Sequence, residues 1–195
     1  LPPESLAATG DDRWLSAMAK CLFQAGFHWR VIEAKWEGFE AAFDGFAPGR
    51  VARYHDDDVD RLLADKRIVR NGAKIAAVIA NASLLVDLAR EHGSAGRFLA
   101  GWQAENYVGL LAVLGKRGAR LGGVTGQRML RMMGVDSFIL SNDVTRRLIS
   151  ERVIDKPASS QREMMAVQAA FNEWRRQSRR SLSEISRVLA LSIDA

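Results

Sequence analysis

The stretch that decides the fold is Leu121-Gly122-Gly123-Val124-Thr125-Gly126-Gln127-Arg128-Met129-Leu130-Arg131-Met132-Met133-Gly134-Val135-Asp136-Ser137-Phe138-Ile139-Leu140-Ser141-Asn142-Asp143-Val144-Thr145-Arg146-Arg147-Leu148. It reads as a hairpin at 121–126, a helix over Gln127 to Met133 closed by Gly134, and a polar turn. Gly122, Gly123 and Gly126 permit a tight turn and close approach of another molecule, because glycine accepts positive φ and carries no Cβ. Amides leaving such a turn at the start of a helix, flanked by Lys116, Arg117, Arg120, Arg128 and Arg131, make a seat for a phosphate. The same spacing also fits a plain glycine-rich connection between two core helices.

Around this stretch nearly every segment has helical periodicity, and no alternating strand pattern stands out. Asp11 or Asp12 caps a first helix with Trp14, Leu15, Met18, Leu22 and Ala25 on one face, ending at Gly26. A second runs from about His28 to Phe43. Pro48 opens a short third, and Asp56, Asp57 and Asp58 cap a fourth. Asn71 to Glu91 is the most regular, its stripe of Ile75, Val78, Ile79, Ala82, Leu85, Val86 and Ala89 predicting a central core helix closed by His92 and Gly93. Shorter helices follow at Phe98 to Trp102 and Tyr107 to Leu114. After a break at Pro157 and Ser159-Ser160, an amphipathic helix through Met164, Val167, Phe171 and Trp174 ends in Arg175, Arg176, Arg179 and Arg180. Leu182 to Leu191, with Ser181 and Glu184 as a capping box, is the last of about ten helices.

The 195 residues suffice for a well-buried core. The single cysteine, Cys21, excludes an internal disulfide and a multi-cysteine metal site, and points to a reducing compartment such as the cytoplasm. No uninterrupted apolar run approaches the roughly 18 residues of a membrane span, so no membrane partner is expected. The net charge of +5 is uneven: residues 1–115 hold 13 Lys+Arg against 15 Asp+Glu, whereas residues 116–195 hold 15 against 8. A basic surface of this kind attracts polyanions, nucleic acid foremost, although basic helices are also commonly just solvated.

Three blocks resemble the helix-hairpin-helix superfamily of DNA glycosylases, and within it the 3-methyladenine DNA glycosylase I family. They are Gln24-Ala25-Gly26-Phe27-His28-Trp29, continuing into Phe39, Phe43, Phe46 and Pro48; Arg67 through Ile75, leading into Asn81-Ala82; and Lys116-Arg117-Gly118 with the hairpin and Asn142-Asp143. The resemblance covers about residues 10 to 148. It implies an all-α, two-lobed bundle spanning 1–195 with a base pocket between the lobes. The implied activity is that of a monofunctional glycosylase releasing alkylated purines, 3-methyladenine foremost, from damaged double-stranded DNA. It would act as a monomer, cytoplasmic and associated with the nucleoid when bound to DNA. A non-catalytic DNA-binding relative is the alternative, and a helical protein-interaction domain a third reading.

The resemblance also distributes roles. Lys116, Arg117, Arg120, Gly122, Gly123, Val124, Thr125 and Gly126 would grip DNA. Gln24, His28 and Trp29 would read the base, Trp29 by stacking and cation–π attraction to a cationic methylated purine. Asp143 would be the carboxylate that stabilises the sugar cation, or else a helix cap. Trp29 and His28 equally fit core and solvent positions, and Cys21 fits a buried apolar one. Three departures stand out. The cysteine and histidine zinc set of that family is absent, so neither metal nor cofactor is expected. Cys21 occupies the family's acidic position, and Ser141 that of the superfamily's aspartate. Gln127 replaces the lysine of strand-cleaving members, which argues against lyase chemistry.

Overall fold

A computed structural model describes residues 1–193, which form an all-α fold without strands. Its helices are α1 (Pro3–Ala8), α2 (Asp11–Gln24), α3 (Trp29–Ala34), α4 (Trp36–Ala42), α5 (Pro48–Val51), α6 (Asp56–Ala64), α7 (Gly72–His92), α8 (Ala95–Ala100), α9 (Tyr107–Arg117), α10 (Gly123–Met132), α11 (Asn142–Ser150), α12 (Gln161–Ser178) and α13 (Leu182–Leu191). The expected helix from His28 to Phe43 is two: Lys35, at φ −101 and ψ 2, breaks the ladder, and its ammonium donates to Lys66 O at 2.7 Å. The break turns α4 so that Trp36, Phe39, Phe43 and Phe46 stack into one aromatic row. α1 carries too few apolar residues to show periodicity; it buries Leu6 and packs on α8.

α7 is the axle. Its cap Asn71 accepts the Lys74 amide, Gly93 ends it at φ 84, and Ile75, Val78, Ala82 and Leu85 are buried as their spacing predicts. α2, α5, α6 and α8 all pack against it. Over an 18-residue window its mean hydropathy of 1.5 makes it long and apolar enough to cross a membrane, which corrects the sequence expectation that no segment comes near. A search for uninterrupted runs misses it because Lys74, Asn81 and Asp87 punctuate the helix. Half of that window is buried inside this protein, and the helix serves as its core.

Two polar side chains on α7 order the neighbouring chain. Lys74 is buried, and its ammonium donates to Ala25 O at 2.5 Å and Phe23 O at 3.4 Å, closing the carbonyl end of α2 while lying 4.5 Å from the Phe27 ring centroid. Burial lowers its pKa. Asn81, fully buried, donates from Nδ2 to Ala119 O at 3.1 Å and accepts the Ala119 amide at 2.8 Å. This two-way bond pins the turn between α9 and α10 to the axle.

The rest of the bundle is joined in the same manner. Gln168 on α12 accepts the Val108 amide at 2.8 Å, satisfying an orphan donor of α9, and donates to Ala104 O at 3.1 Å. Asp136 accepts the Leu182 and Ser183 amides at the start of α13. Tyr107, Phe138, Phe171 and Trp174 make a second aromatic row beneath these bonds. The capping boxes at Ser160/Glu163 and Ser181/Glu184 start α12 and α13, and amides of Ser159 and Ser160 hold the Glu163 carboxyl down to about 2.

Replacing Asn81 by leucine, of similar size, leaves the Ala119 amide and carbonyl without partners. The expected cost is about 2–4 kcal/mol, read as a lower denaturant midpoint at unchanged m-value.

Candidate nucleic-acid interface

The turn between α9 and α10 is Gly118 to Gly122, and α10 begins at Gly123 rather than at Gln127. The glycines are therefore the cap and first turn of the helix. Gly123 needs its φ of 60, and a Cβ on Gly126 would lie 2.2 Å from Leu121 O, so only glycine lets α10 press onto the turn this closely. Gly122, the N-cap, offers no side-chain acceptor, and the helix start is left open. Gly122 and Gly123 are exposed, Val124 and Thr125 half-buried, and Gly126 buried. Amides at this open end carry the positive pole of the helix dipole.

The basic residues divide. Lys116 and Arg120 are exposed beside the turn, with Arg120 in the left-handed region at φ 58, and Arg128 is exposed one turn along α10. Arg117 is held by Glu91 through two bonds of 2.9 and 2.8 Å. Arg131, counted among the flanking cations from sequence, turns inward instead: its guanidinium donates to Ser137 Oγ at 3.1 Å and to Ser137 O, and its burial makes it a structural residue.

Two cavities flank the first turn of α10, and Val124 lines both. The larger, about 990 Å3, lies between α9, α10, α11 and the start of α12. Gly122, Gly123, Gln127, Asn142, Asp143 and Arg146 contribute to its wall. The smaller, about 300 Å3, is enclosed by Cys21, Gln24, Ala25, Val124, Thr125 and Arg128.

Asp143 is not the helix cap. That role belongs to Ser141, whose hydroxyl accepts the Val144 amide at 3.3 Å. Asp143 stands in the first turn of α11, half exposed, and accepts a 2.7 Å bond from Arg146. Gln127 is buried and accepts the Leu140 amide at 2.7 Å, fixing the segment that leads to Asp143. Gln24 is half-buried at the end of α2 and donates to Glu33 at 3.2 Å. His28 and Trp29, past the Gly26 turn, are exposed; Trp29 is 56% exposed, with the Arg30 guanidinium 5.6 Å from its ring centroid. Cys21 is buried, and desolvation pushes its thiol up to about 11, so it is neutral.

The structure thus brings Asp143 to the hairpin glycines in one cavity and Gln24 to Val124 and Thr125 in the other. It leaves His28 and Trp29 on the surface. Sequence reasoning passed over Arg128 and Arg146 as wall residues. Their i+4 spacing from Val124 and i+3 spacing from Asp143 were the available signals. The zinc set of the resembled family does not fit here: one cysteine is present, and no group of three His, Cys, Asp or Glu among the described residues is placed to hold a metal.

The sequence profile of methyladenine glycosylases matches residues 7–110, more than half of the chain. The chain belongs to the methyladenine glycosylase family. Over 59 residues it is 42% identical to DNA-3-methyladenine glycosylase 1 of Escherichia coli (strain K12), a match covering 30% of this chain and 32% of that protein. The matched stretch is thus about a third of that curated relative's length. Among solved structures, 3-methyladenine DNA glycosylase I from Staphylococcus aureus shares a TM-score of 0.58 at 26% identity, covering 64% of this chain and 77% of that one. A variant of 3-methyladenine DNA glycosylase I in complex with 3-methyladenine gives a TM-score of 0.58 and 26% identity over 67% and 81%. The matched profile ends on α9, so the hairpin geometry stands beside the family assignment as a separate observation.

Gly126→Ala should cost about 1–3 kcal/mol by overpacking against Leu121 O and weaken duplex binding together with stability. Gly49→Ala, where no atom lies within 4 Å of the added Cβ, should leave duplex binding unchanged. Thermal unfolding and fluorescence anisotropy on the two variants check the pair.

Proposed function

We propose that this chain is a monofunctional DNA glycosylase that hydrolyses the N-glycosidic bond of alkylated purines in damaged double-stranded DNA, 3-methyladenine foremost. The observation that carries the reading is a juxtaposition. In a methyladenine glycosylase family chain, an open helix start flanked by Lys116 and Arg120 shares Val124 with a base-sized hollow on one side and with a carboxylate-bearing cavity on the other. The proposed form is a monomer of two lobes meeting along α10, acting in the cytoplasm with α7 as a core helix rather than a membrane span.

In this reading the DNA backbone docks on the amides of Gly123, Val124 and Thr125, with Lys116 and Arg120 neutralising phosphates and Arg117, paired with Glu91, fixing the end of α9 beside them. The damaged nucleotide is turned out of the stack into the small cavity. The Gln24 amide reads the base edge. His28 and Trp29, three and four residues beyond the cavity wall at Ala25, close over the extruded base, where the indole face favours a cationic purine.

Bond cleavage moves positive charge from base to sugar: the methylated purine departs neutral and the sugar becomes oxocarbenium-like. Arg128 on the small-cavity wall raises the energy of the cationic base before cleavage. Asp143 on the other side of the α10 start stabilises the sugar cation as it forms. With the Cys21 thiol neutral, the small cavity supplies no carboxylate, so the reaction leans on a substrate that leaves readily. Gln127, buried and bonded to Leu140, stands where strand-cleaving members carry a lysine, which supports hydrolysis rather than Schiff-base chemistry.

Two observations favour a second reading, a DNA-binding relative without activity. The Asp143 carboxylate is already engaged by Arg146, and Cys21 is uncharged.

Incubation with duplex DNA bearing 3-methyladenine or 7-methylguanine separates the two. The glycosylase reading expects free methylated base without strand cleavage, and a loss of roughly 100-fold in Asp143→Asn. Absence of release at enzyme excess with duplex binding intact would leave only the binding reading, and full activity in Asp143→Asn would remove that residue from the chemistry.

A further inference from the structure

The basic half of the chain holds more cations than the hairpin uses. Six of them are neutralised by ion pairs: Arg117 with Glu91, Arg146 with Asp143, Arg147 with Glu151, Lys156 with Glu163, Arg175 with Glu105 and Arg176 with Glu173. Among the described residues of this half, the exposed cations without such a pair are Lys116, Arg120 and Arg128 at the hairpin, Arg152, Arg162 and Arg187, which stand singly in the sequence, and Arg179 and Arg180. Arg179 and Arg180 are the one adjacent pair, in the turn from α12 to α13.

The backbone at this turn is informative. Arg179 terminates α12 in the left-handed conformation, at φ 58 and ψ 20. Glycine is the usual occupant of that position, and a side chain there costs about 1 kcal/mol or more. The helix dipole accounts for Arg175 and Arg176 in the last turn, but not for two further arginines beyond it. Arg120 in the hairpin turn, at φ 58, and Arg152 after α11, at φ 59, share this conformation. Arg179 and Arg180, with Arg175, Arg176, Asn172 and Glu105, surround a hollow of about 360 Å3. Glu105 is occupied by Arg175, and the excess charge faces solvent.

We infer that the α12–α13 turn, through Arg179 and Arg180, is a second phosphate-binding surface that grips the DNA backbone away from the damaged base. The inference rests on the DNA-binding reading above and adds a footprint to it. The start of α12 lines the large cavity beside the hairpin, and Arg179 lies at its far end. An 18-residue helix spans roughly 27 Å, which is about eight base pairs of duplex. The second grip therefore falls on flanking DNA and leaves the chemistry to the hairpin side. Bare arginines suit this role, because their forked donors pair with phosphate oxygens and carry no sequence preference.

The test is the salt dependence of binding to a duplex extending about ten base pairs on either side of the lesion. The double variant Arg179→Gly, Arg180→Ala removes both charges while placing glycine where the backbone prefers it, so folding is preserved. The slope of log K against log salt should become shallower by about 1.8, with base release at saturating enzyme and low salt unchanged. Arg90→Ala, which removes an exposed arginine paired with Asp87, should leave the slope as in the native protein. An unchanged slope in the double variant overturns the second grip while the hairpin reading stands. Loss of slope equally in Arg90→Ala shows a net-charge effect and overturns it too. Absence of salt-dependent binding by the native protein overturns both the grip and the DNA-binding reading.

Discussion

The structure depends on one buried amide. Asn81 sits in the apolar centre of α7 and spends both ends of its side chain on the backbone of Ala119. A buried primary amide left unpaired would cost several kcal/mol, so the turn between α9 and α10 is not free to drift. Everything attributed to the hairpin, including the open amides at Gly123 and the cavities on either side of Val124, inherits its position from that bond. Arg117 and Glu91 repeat the tie at the solvent edge, where an ion pair contributes less.

The same device recurs wherever two parts of the bundle meet. Lys74 closes α2, Gln168 closes α9, Gln127 holds Leu140, and Asp136 starts α13. Each is a polar side chain, buried or partly so, that satisfies main-chain groups far away in sequence. Apolar contacts supply most of the cohesion, but they are indifferent to small shifts in register. Directional bonds to fixed backbone groups set where the pieces stop. In this way the two cavities receive defined walls although they are built from five helices.

Much of this was legible beforehand. α7 could be read from its stripe of Ile75, Val78, Ala82 and Leu85 and from Asn71 and Gly93 at its ends, because local periodicity and capping chemistry decide a long core helix. The capping box of α13 was visible for the same reason. The break at Lys35 was not, since no glycine or proline marks it and tertiary stacking of Trp36 and Phe39 imposes it. The start of α10 at Gly123 was hidden because glycines ordinarily argue for a turn, and only contact with Leu121 O shows why a helix needs them there. The roles of Asn81, Gln127 and Gln168 lie beyond sequence reading, as their partners are backbone groups 13 to 64 residues distant. At the site, the hairpin and the residue types were foreseeable. The division of Gln24 and Asp143 between two cavities, the exposure of Trp29 and the inward turn of Arg131 required coordinates.

The central claim is that the hairpin holds the DNA backbone while the cavity next to it receives the base. Hydrogen–deuterium exchange of the full chain, free and bound to a duplex carrying an abasic-site analogue, tests this most directly. The account predicts slowed exchange over residues 118–128 and 21–30, with α4 to α6 unaffected. Protection confined to other helices, with the 118–128 amides exchanging as in the free protein, would contradict it.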